Sequence, residues 1–170
     1  NSLTHSSYAN ENRHKCVRNN ERLEFLGDCV LGLICARYIY SEYRSLPEGE
    51  LTKLRAAIVC EGSLYEFATQ IDLGERLLLG RGERVGGGSK RPSVLADAVE
   101  AVLAAIYLDG GMEAAQGFIL DFIKRKAEVL NFELSDEIVQ YIAEKLKNNI
   151  RQLEGAVKKM QAFVTMQGMP

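Results

Sequence analysis

Residues 21–40 read ERLEFLGDCVLGLICARYIY, and this stretch decides the fold. Apolar side chains occur nearly all round the helix that the pattern predicts, and a helix of that kind lies at the centre of a core. A second run, from Ser93 to Leu108, has the same character and predicts a second central helix. Since no stretch alternates polar and apolar residues for long, the sequence predicts an all-α fold.

The flanking segments predict the remaining elements. Asp109-Gly110-Gly111 ends the second central helix, because glycine is a common helix terminator. The other predictions are a helix-end and loop region over Thr4–Asn12, a helix over Leu51–Gln70, a glycine-rich loop over Gly80–Arg91, and an amphipathic helix over Met112–Leu130.

Composition excludes several classes of protein. The 170 residues are 46% hydrophobic and carry a net charge of −2, which excludes binding to nucleic acid through bulk positive charge. The longest apolar stretch, Cys29 to Tyr40, is short and contains Arg37, so no membrane span is expected. The four cysteines lack the paired C-x-x-C spacing of a zinc ribbon, and a reducing, cytoplasmic compartment is predicted.

Acidic residues inside the two most apolar helices are the informative anomaly. Glu24 and Asp28 are four residues apart, and Asp97 and Glu100 are three apart, so each pair shares a helical face. Burying uncompensated like charges is unfavourable. One pair alone is equally well explained by a helix cap or by a buried arginine, but two such pairs favour a cation between them.

Oxygen-only ligands suit a hard ion, Mg²⁺ or Mn²⁺. Four carboxylates supply enough negative charge for two divalent ions, which is the arrangement that flanks the attacking and leaving oxygens in phosphodiester cleavage.

Four ordered motifs resemble those of the ribonuclease III endonucleases, which cut double-stranded RNA. The signature is NERLEFLGD at residues 20–28, and the others are LTHSSYA at 3–9, LPEGELT at 46–52 and LADAVEA at 95–101. The resemblance covers about Asn1 to Leu130 and implies the helical bundle of that family's catalytic domain. It further implies a homodimer that hydrolyses RNA with water activated by a divalent metal, leaving 5′-phosphate and 3′-hydroxyl ends.

The resemblance also implies roles for individual residues. Glu24, Asp28, Asp97 and Glu100 are the implied metal ligands, with Asp28 and Glu100 as the catalytic pair. Glu21 and Glu48 match supporting acidic positions, for which a salt-bridging role is the alternative. Phe25 matches an aromatic residue of the family's dimer interface, and a core phenylalanine is the alternative.

Basic residues in the glycine-rich segment are candidates for RNA contact. Arg81, Arg84, Lys90 and Arg91 would meet phosphates, although a merely flexible loop is the alternative. Gly88-Ser89-Lys90 lacks the residue order of a phosphate loop, so no nucleotide cofactor is expected. His5 and His14 suggest the acid–base pair of a metal-free ribonuclease, but His5 lies inside a family motif and His14 in a polar loop.

The last segment, residues 131–170, predicts two short helices and resembles the lid helices of the bacterial replication initiator ATPase. Arg151 matches the nucleotide-sensing arginine of that family. We expect a helical tail, either a fused fragment or an unrelated extension, and no double-stranded-RNA-binding domain. A non-catalytic RNA-binding or dimerisation module with the same fold is the alternative function. The loss of one carboxylate would favour it, and none is lost.

Overall fold

A computed structural model describes residues 1–133, and this part of the chain is helical. Seven α-helices lie within it: α1 (Ser6–Glu11), α2 (Glu21–Glu42), α3 (Glu48–Ile58), α4 (Glu61–Gln70), α5 (Leu73–Arg76), α6 (Arg81–Val85) and α7 (Pro92–Glu133). In residues 1–133 the only strand-like feature is an isolated bridge between Thr4 and Leu78. The predicted all-α fold is therefore confirmed.

The two apolar helices form the centre of the core, as their composition predicts. The buried residues of α2 are Gly27, Val30, Leu31, Ile34, Cys35 and Ile39. The first half of α7 buries Val94 to Ala96, Ala98, Val99, Ala101, Leu103 and Ala104. Gly27 marks their close contact, because a Cβ atom there would overlap the backbone carbonyl of Glu100. Only glycine allows this approach of one backbone to another.

Gly111 interrupts α7. Its backbone (φ 75°, ψ −171°) is not helical, so the predicted stop at Asp109–Gly111 is a sharp break between two helical halves. The helix begins at Pro92, and proline suits a first helical position because no N–H donor is needed there. In the second half, the rings of Phe118 and Phe122 pack against Phe67 of α4, with centroids 5.3 and 5.1 Å apart.

The single helix predicted over Leu51–Gln70 is wrong, since the structure has two. Helix α3 ends at Ile58 and α4 begins at Glu61, and the Ser63 hydroxyl donates to the Ala57 carbonyl across the junction, at 3.0 Å. The apolar pattern continues across the break because both helices bury their leucines in one core. The spacing of apolar residues alone therefore does not reveal the turn between α3 and α4.

The helix-end and loop region predicted over Thr4–Asn12 and the predicted glycine-rich loop both contain short helices. Thr4–Asn12 contains α1, which His5 caps by accepting a hydrogen bond from the Ser7 backbone N–H. The glycine-rich segment contains α6 and a 3₁₀ turn at Gly88–Lys90. An ion pair closes this segment, because the carboxylate of Glu83 lies 2.7 Å from the guanidinium of Arg91.

Residue contacts divide the chain into two units, Asn1–Ala127 and Glu128–Pro170. The predicted tail of residues 131–170, with its resemblance to a replication initiator, lies almost entirely outside the described residues. None of the helices in residues 1–133 combines the length and apolar character that crossing a lipid bilayer requires.

Candidate metal centre

Three of the predicted carboxylates meet at the contact between α2 and α7. Glu24, Asp97 and Glu100 each offer one oxygen, and these oxygens lie within 4.8 Å of one another. We call these three residues the carboxylate cluster. Glu24 comes from α2 and the other two from α7, so the cluster depends on the packing of the two helices around Gly27.

Asp28 lies outside the carboxylate cluster, on the same face of α2 but one turn further along. Its side chain is exposed, whereas the three clustered residues are partly buried. It is still close enough to Glu100 for its charge to raise the pKa of that carboxyl group. The structure thus brings three predicted ligands together and places the fourth at the exposed edge.

The electrostatics of the cluster are unfavourable for the ionised carboxylates. Burial, together with the smaller effects of the charges of Asp28, Asp97 and Glu24, raises the pKa of Glu100 to about 7. The pKa of Glu24 is also raised, first by burial and then by Asp97 and Glu21. Both burial and like charges disfavour the charged form of an acid.

A cation fits this arrangement better than the alternatives do. Within residues 1–133, none of the salt bridges involves a cluster residue, so a buried arginine does not compensate these charges. A divalent ion would supply the missing positive charge. Because all the donors are carboxylate oxygens, the residues present suit Mg²⁺ or Mn²⁺.

Two further residues influence the cluster and were not assigned to it from the sequence. Burial raises the pKa of Asp97, Glu61 raises it further, and His5 lowers it. Glu61 is the first residue of α4, and His5 precedes α1. No spacing in the sequence relates either residue to Asp97, so only tertiary packing could reveal them.

Comparison with known proteins decides the family. A family model described as Ribonuclease-III-like matches residues 1–127. The chain belongs to this family.

Two curated relatives named Ribonuclease 3 show the extent of the similarity. The protein from Syntrophomonas wolfei subsp. wolfei is 54% identical over 139 residues, which are 82% of this chain and 58% of the relative. The protein from Bacillus cereus (strain AH187) is 52% identical over 124 residues, 73% of this chain and 51% of the relative. The chain therefore spans little more than half the length of these relatives.

Solved structures of the family agree with the fold. The nuclease domain of ribonuclease III from Campylobacter jejuni, known from a crystal structure, is 42% identical in sequence to this chain. The two structures match with a TM-score of 0.65 over 73% of this chain and 80% of the Campylobacter chain. A second structure of that domain has a TM-score of 0.67, with 42% identity and coverage of 74% and 83%. This second structure describes structural flexibility in the region of the Campylobacter domain that is involved in dimer formation.

Glu21 and Glu48, which match the supporting acidic positions of the ribonuclease III family, lie in different surroundings. Glu21 is exposed at the start of α2 and contributes to the raised pKa of Glu24. Glu48 is the first residue of α3, and its carboxylate accepts a hydrogen bond from the Thr52 hydroxyl at 2.9 Å. No salt bridge involves Glu21 or Glu48 within residues 1–133.

Phe25 is 75% exposed, so the alternative that it is a core phenylalanine is wrong. Leu33 and Tyr40 are also exposed on α2, at 56% and 76%. The spacing of these three residues puts them close to one helical face. We call these three residues the apolar stripe.

The four candidate RNA-binding residues are not equally available. Arg91 pairs with Glu83, and the Arg84 guanidinium donates to the Leu77 carbonyl at 3.3 Å. Arg81 and Lys90 are exposed, and their side chains make no hydrogen bond or ion pair with residues 1–133.

Proposed function

We propose that this chain is an endoribonuclease that hydrolyses the phosphodiester bonds of double-stranded RNA. The observation that carries the proposal is the convergence of Glu24, Asp97 and Glu100 from two helices in a member of the ribonuclease III family. A cluster that raises the pKa of Glu100 to about 7 stores electrostatic repulsion, which binding of a divalent ion relieves.

Mg²⁺ is the proposed ion, with Mn²⁺ as a substitute. When bound, it supplies an activated water for attack on the phosphorus and stabilises developing negative charge. Glu24, Asp97 and Glu100 hold it through carboxylate oxygens. Asp28, which is exposed beside the cluster, is proposed to complete the ligand set. The expected products have 5′-phosphate and 3′-hydroxyl ends.

A homodimer is the proposed active form. One carboxylate cluster cuts one strand, so cleavage of both strands needs two copies. The apolar stripe on α2 is the proposed interface, because three large exposed apolar side chains on one helix favour association. Phe25 is the most informative residue of this interface, because it directly follows the cluster residue Glu24 in the sequence. Glu21 and Glu48 are proposed as supporting acidic residues.

RNA recognition is proposed to rest on shape, phosphates and 2′-hydroxyl groups, since the major groove of A-form RNA is too narrow for side chains to read. Arg81 and Lys90 are the more available phosphate contacts of the glycine-rich segment, and Arg84 and Arg91 reach RNA only if their present partners are exchanged. The proposed compartment is the cytoplasm.

A cleavage assay on a long RNA duplex tests the proposal. Product is expected with Mg²⁺ and not with EDTA, and Ca²⁺ is expected to support binding without cleavage. A DNA duplex of the same sequence is the matched substrate control. Binding without cleavage under every divalent ion would favour the alternative, a non-catalytic RNA-binding module.

A further inference from the structure

A cavity of about 750 Å³ lies beside the loop that connects α1 to α2. Its walls come from α1, from this loop, from the first two turns of α2, and from Leu108 near the end of the first half of α7. Three arginines line it, Arg13, Arg18 and Arg22, and we call it the arginine cavity. Sites for small molecules have volumes of about 300–1,000 Å³, so this cavity has the size of such a site.

The three arginines bring positive charge that nothing else in the cavity neutralises. Within residues 1–133, no acidic side chain lines it. The Arg13 guanidinium donates a hydrogen bond to Oδ1 of Asn10 at 3.3 Å. The side chains of Arg18 and Arg22 are exposed and make no hydrogen bond or ion pair with residues 1–133. Because like charges repel one another, an anion among these guanidinium groups is favourable.

The acidic residues of the same segment do not face the arginine cavity. Residues 10–22 contain four basic residues and two acidic ones, Glu11 and Glu21. The Glu11 carboxylate accepts a hydrogen bond from the Arg81 N–H at 2.9 Å, at the start of α6. Glu21 directly precedes Arg22 but does not line the cavity, because successive residues of a helix point in directions about 100° apart. The positive charge is therefore available to a ligand.

An uncommon backbone conformation helps to form this wall. A 3₁₀ turn at Arg13–Lys15 ends at Cys16, whose backbone is left-handed (φ 50°, ψ 34°). Residues other than glycine, asparagine and aspartate seldom adopt such angles. Cys16 turns the chain between Arg13 and Arg18, and both side chains line one cavity with Arg22 of α2. Strained backbone of this kind is frequent at ligand sites.

The arginine cavity is separate from the carboxylate cluster. Arg22 and Leu26 line the cavity, whereas Glu24, midway between them in α2, belongs to the cluster. Residues two apart on a helix do not share a face, so α2 itself lies between the two sites. A ligand in the cavity therefore needs no divalent ion.

The other walls favour a phosphate that carries an organic group. Guanidinium groups bind phosphate oxygens two at a time and also stack on planar rings. Apolar surface comes from Leu23, Leu26 and Leu108, the last of which is 63% exposed. The side-chain amides of Asn10 and Asn19 supply hydrogen-bond donors and acceptors. An inorganic phosphate ion would use the arginines and leave the remaining walls without contacts.

A nucleoside 5′-phosphate has all three complementary features, namely a phosphate, a planar base, and polar groups on the ribose and the base edge. We propose that the arginine cavity binds a nucleoside 5′-phosphate, either as a free nucleotide or as the first nucleotide of an RNA strand. Arginine side chains take the place of a phosphate loop, whose absence from the sequence gave no reason to expect a nucleotide. This binding goes beyond the proposed function, because it requires neither a metal nor cleavage.

Isothermal titration calorimetry of the full chain in EDTA tests the assignment. The probes are the four nucleoside 5′-monophosphates, the corresponding nucleosides and inorganic phosphate. At least one nucleotide is expected to bind tenfold or more tightly than its nucleoside and than inorganic phosphate. Arg18→Gln and Arg22→Gln should each weaken nucleotide binding by about tenfold or more, the effect of one lost charge-assisted hydrogen bond.

Arg44→Gln is the matched control, because Arg44 is exposed, carries the same charge and lies outside the cavity. It should bind nucleotides as wild type does. Leu108→Ser should weaken binding of the nucleotide but not of inorganic phosphate, since it changes only the apolar wall. Thermal melting confirms that each variant is folded, and Arg18→Gln, in the loop, carries the test if Arg22→Gln is not.

Two RNA single strands, one with a 5′-phosphate and one with a 5′-hydroxyl group, identify the source of the ligand. Tighter binding of the phosphorylated strand, lost in Arg22→Gln, would assign the cavity to an RNA end. Equal binding of the two strands beside tight binding of a mononucleotide would assign it to a free nucleotide.

Either of two results would overturn the proposed nucleotide site. One is that no nucleotide binds more tightly than both its nucleoside and inorganic phosphate. The other is that Arg44→Gln weakens binding as much as Arg18→Gln and Arg22→Gln do, since only the total charge would then matter. None of these measurements involves cleavage, so they remain decisive if the chain fails to cut RNA and the proposed function fails.

Discussion

Glu100 combines partial burial, three acidic neighbours and the largest pKa shift in the cluster, and one substitution tests its role. Glu100→Gln keeps the size and one oxygen but removes a negative charge needed to hold a divalent ion. We expect cleavage to be abolished, with the fold and much of the RNA binding retained, because the lost interaction acts mainly in the transition state. Cleavage rate and melting temperature of one purified variant measure both effects.

Glu113→Gln is the matched control, since Glu113 is an exposed carboxylate on the same helix. It should leave cleavage unchanged. A Glu100→Gln variant that cuts RNA at the wild-type rate would remove Glu100 from the proposed site.

The stability of the metal-free protein should fall as pH rises. The pKa of Glu100 is about 7 in the folded chain and 4.5 ordinarily, so the folded state holds a proton that the unfolded state releases first. The stabilisation is complete below pH 4.5 and is lost as pH rises through about 7. In EDTA, the melting temperature should decrease over this range, and less steeply in Glu100→Gln. An equal slope in both proteins would contradict the pKa assignment.

For individual residues, the sequence predicts the candidate metal ligands but not the side chains that surround them. Glu24, Asp28, Asp97 and Glu100 are conspicuous because they are charges in apolar helices. That Asp28 lies at the exposed edge depends on the rotation of α2 against α7, which the sequence does not specify. Glu61 and His5 carry no local anomaly, so their influence on Asp97 was not foreseen.

The close contact between helices α2 and α7 can be tested by a substitution at Gly27. In Gly27→Ala, the added methyl group overlaps the Glu100 carbonyl, so the helices must move apart. Such overpacking costs about 1–3 kcal/mol. We expect a lower melting temperature and a loss of cleavage, since the shift also separates Glu24 from Asp97 and Glu100. Differential scanning calorimetry and the cleavage assay measure the two effects.

Gly117→Ala provides the comparison, because a Cβ atom there meets nothing within 4 Å. Replacing a helical glycine by alanine stabilises by up to about 1 kcal/mol, so this variant should melt higher and cut normally. If Gly27→Ala also melted higher and cut normally, the close helix contact would have no role in the site.

The long apolar helices were predictable because their patterns persist over many turns, whereas short elements were not. The α3–α4 junction falls within an unbroken apolar spacing, and it is fixed by a hydrogen bond between Ser63 and Ala57. The glycine-rich segment suggests a flexible loop, yet the ion pair of Glu83 and Arg91 closes it. Contacts of this kind depend on geometry that composition does not record.

For the whole molecule, the apolar stripe predicts association of two copies. Phe25→Glu puts a charge where 75% of an aromatic side chain is exposed, and burying that charge in an interface is unfavourable. We expect sedimentation at micromolar concentration to show a dimer for wild type and a monomer for this variant. Val85→Glu, at a valine outside the stripe that is 83% exposed, should remain dimeric.

The segment beyond Glu133 should be dispensable for cleavage. Residues 134–170 bring no carboxylate pair of the proposed kind, and the contact unit that contains the cluster ends at Ala127. A chain ending at Glu133 is expected to fold and to cut duplex RNA at the rate of the full chain. A folded but inactive truncated chain would show that the tail takes part in catalysis.

The position of Gly27 against Glu100 has a consequence for the order of folding. Each helix can form from local contacts within microseconds, but α2 alone carries only Glu24 and α7 alone only Asp97 and Glu100. The complete cluster appears when these distant segments dock, a slow class of contact. Divalent ions should therefore slow unfolding more than they speed refolding, because they bind a site that forms late. Stopped-flow unfolding with and without Mg²⁺ would time the docking of the two helices.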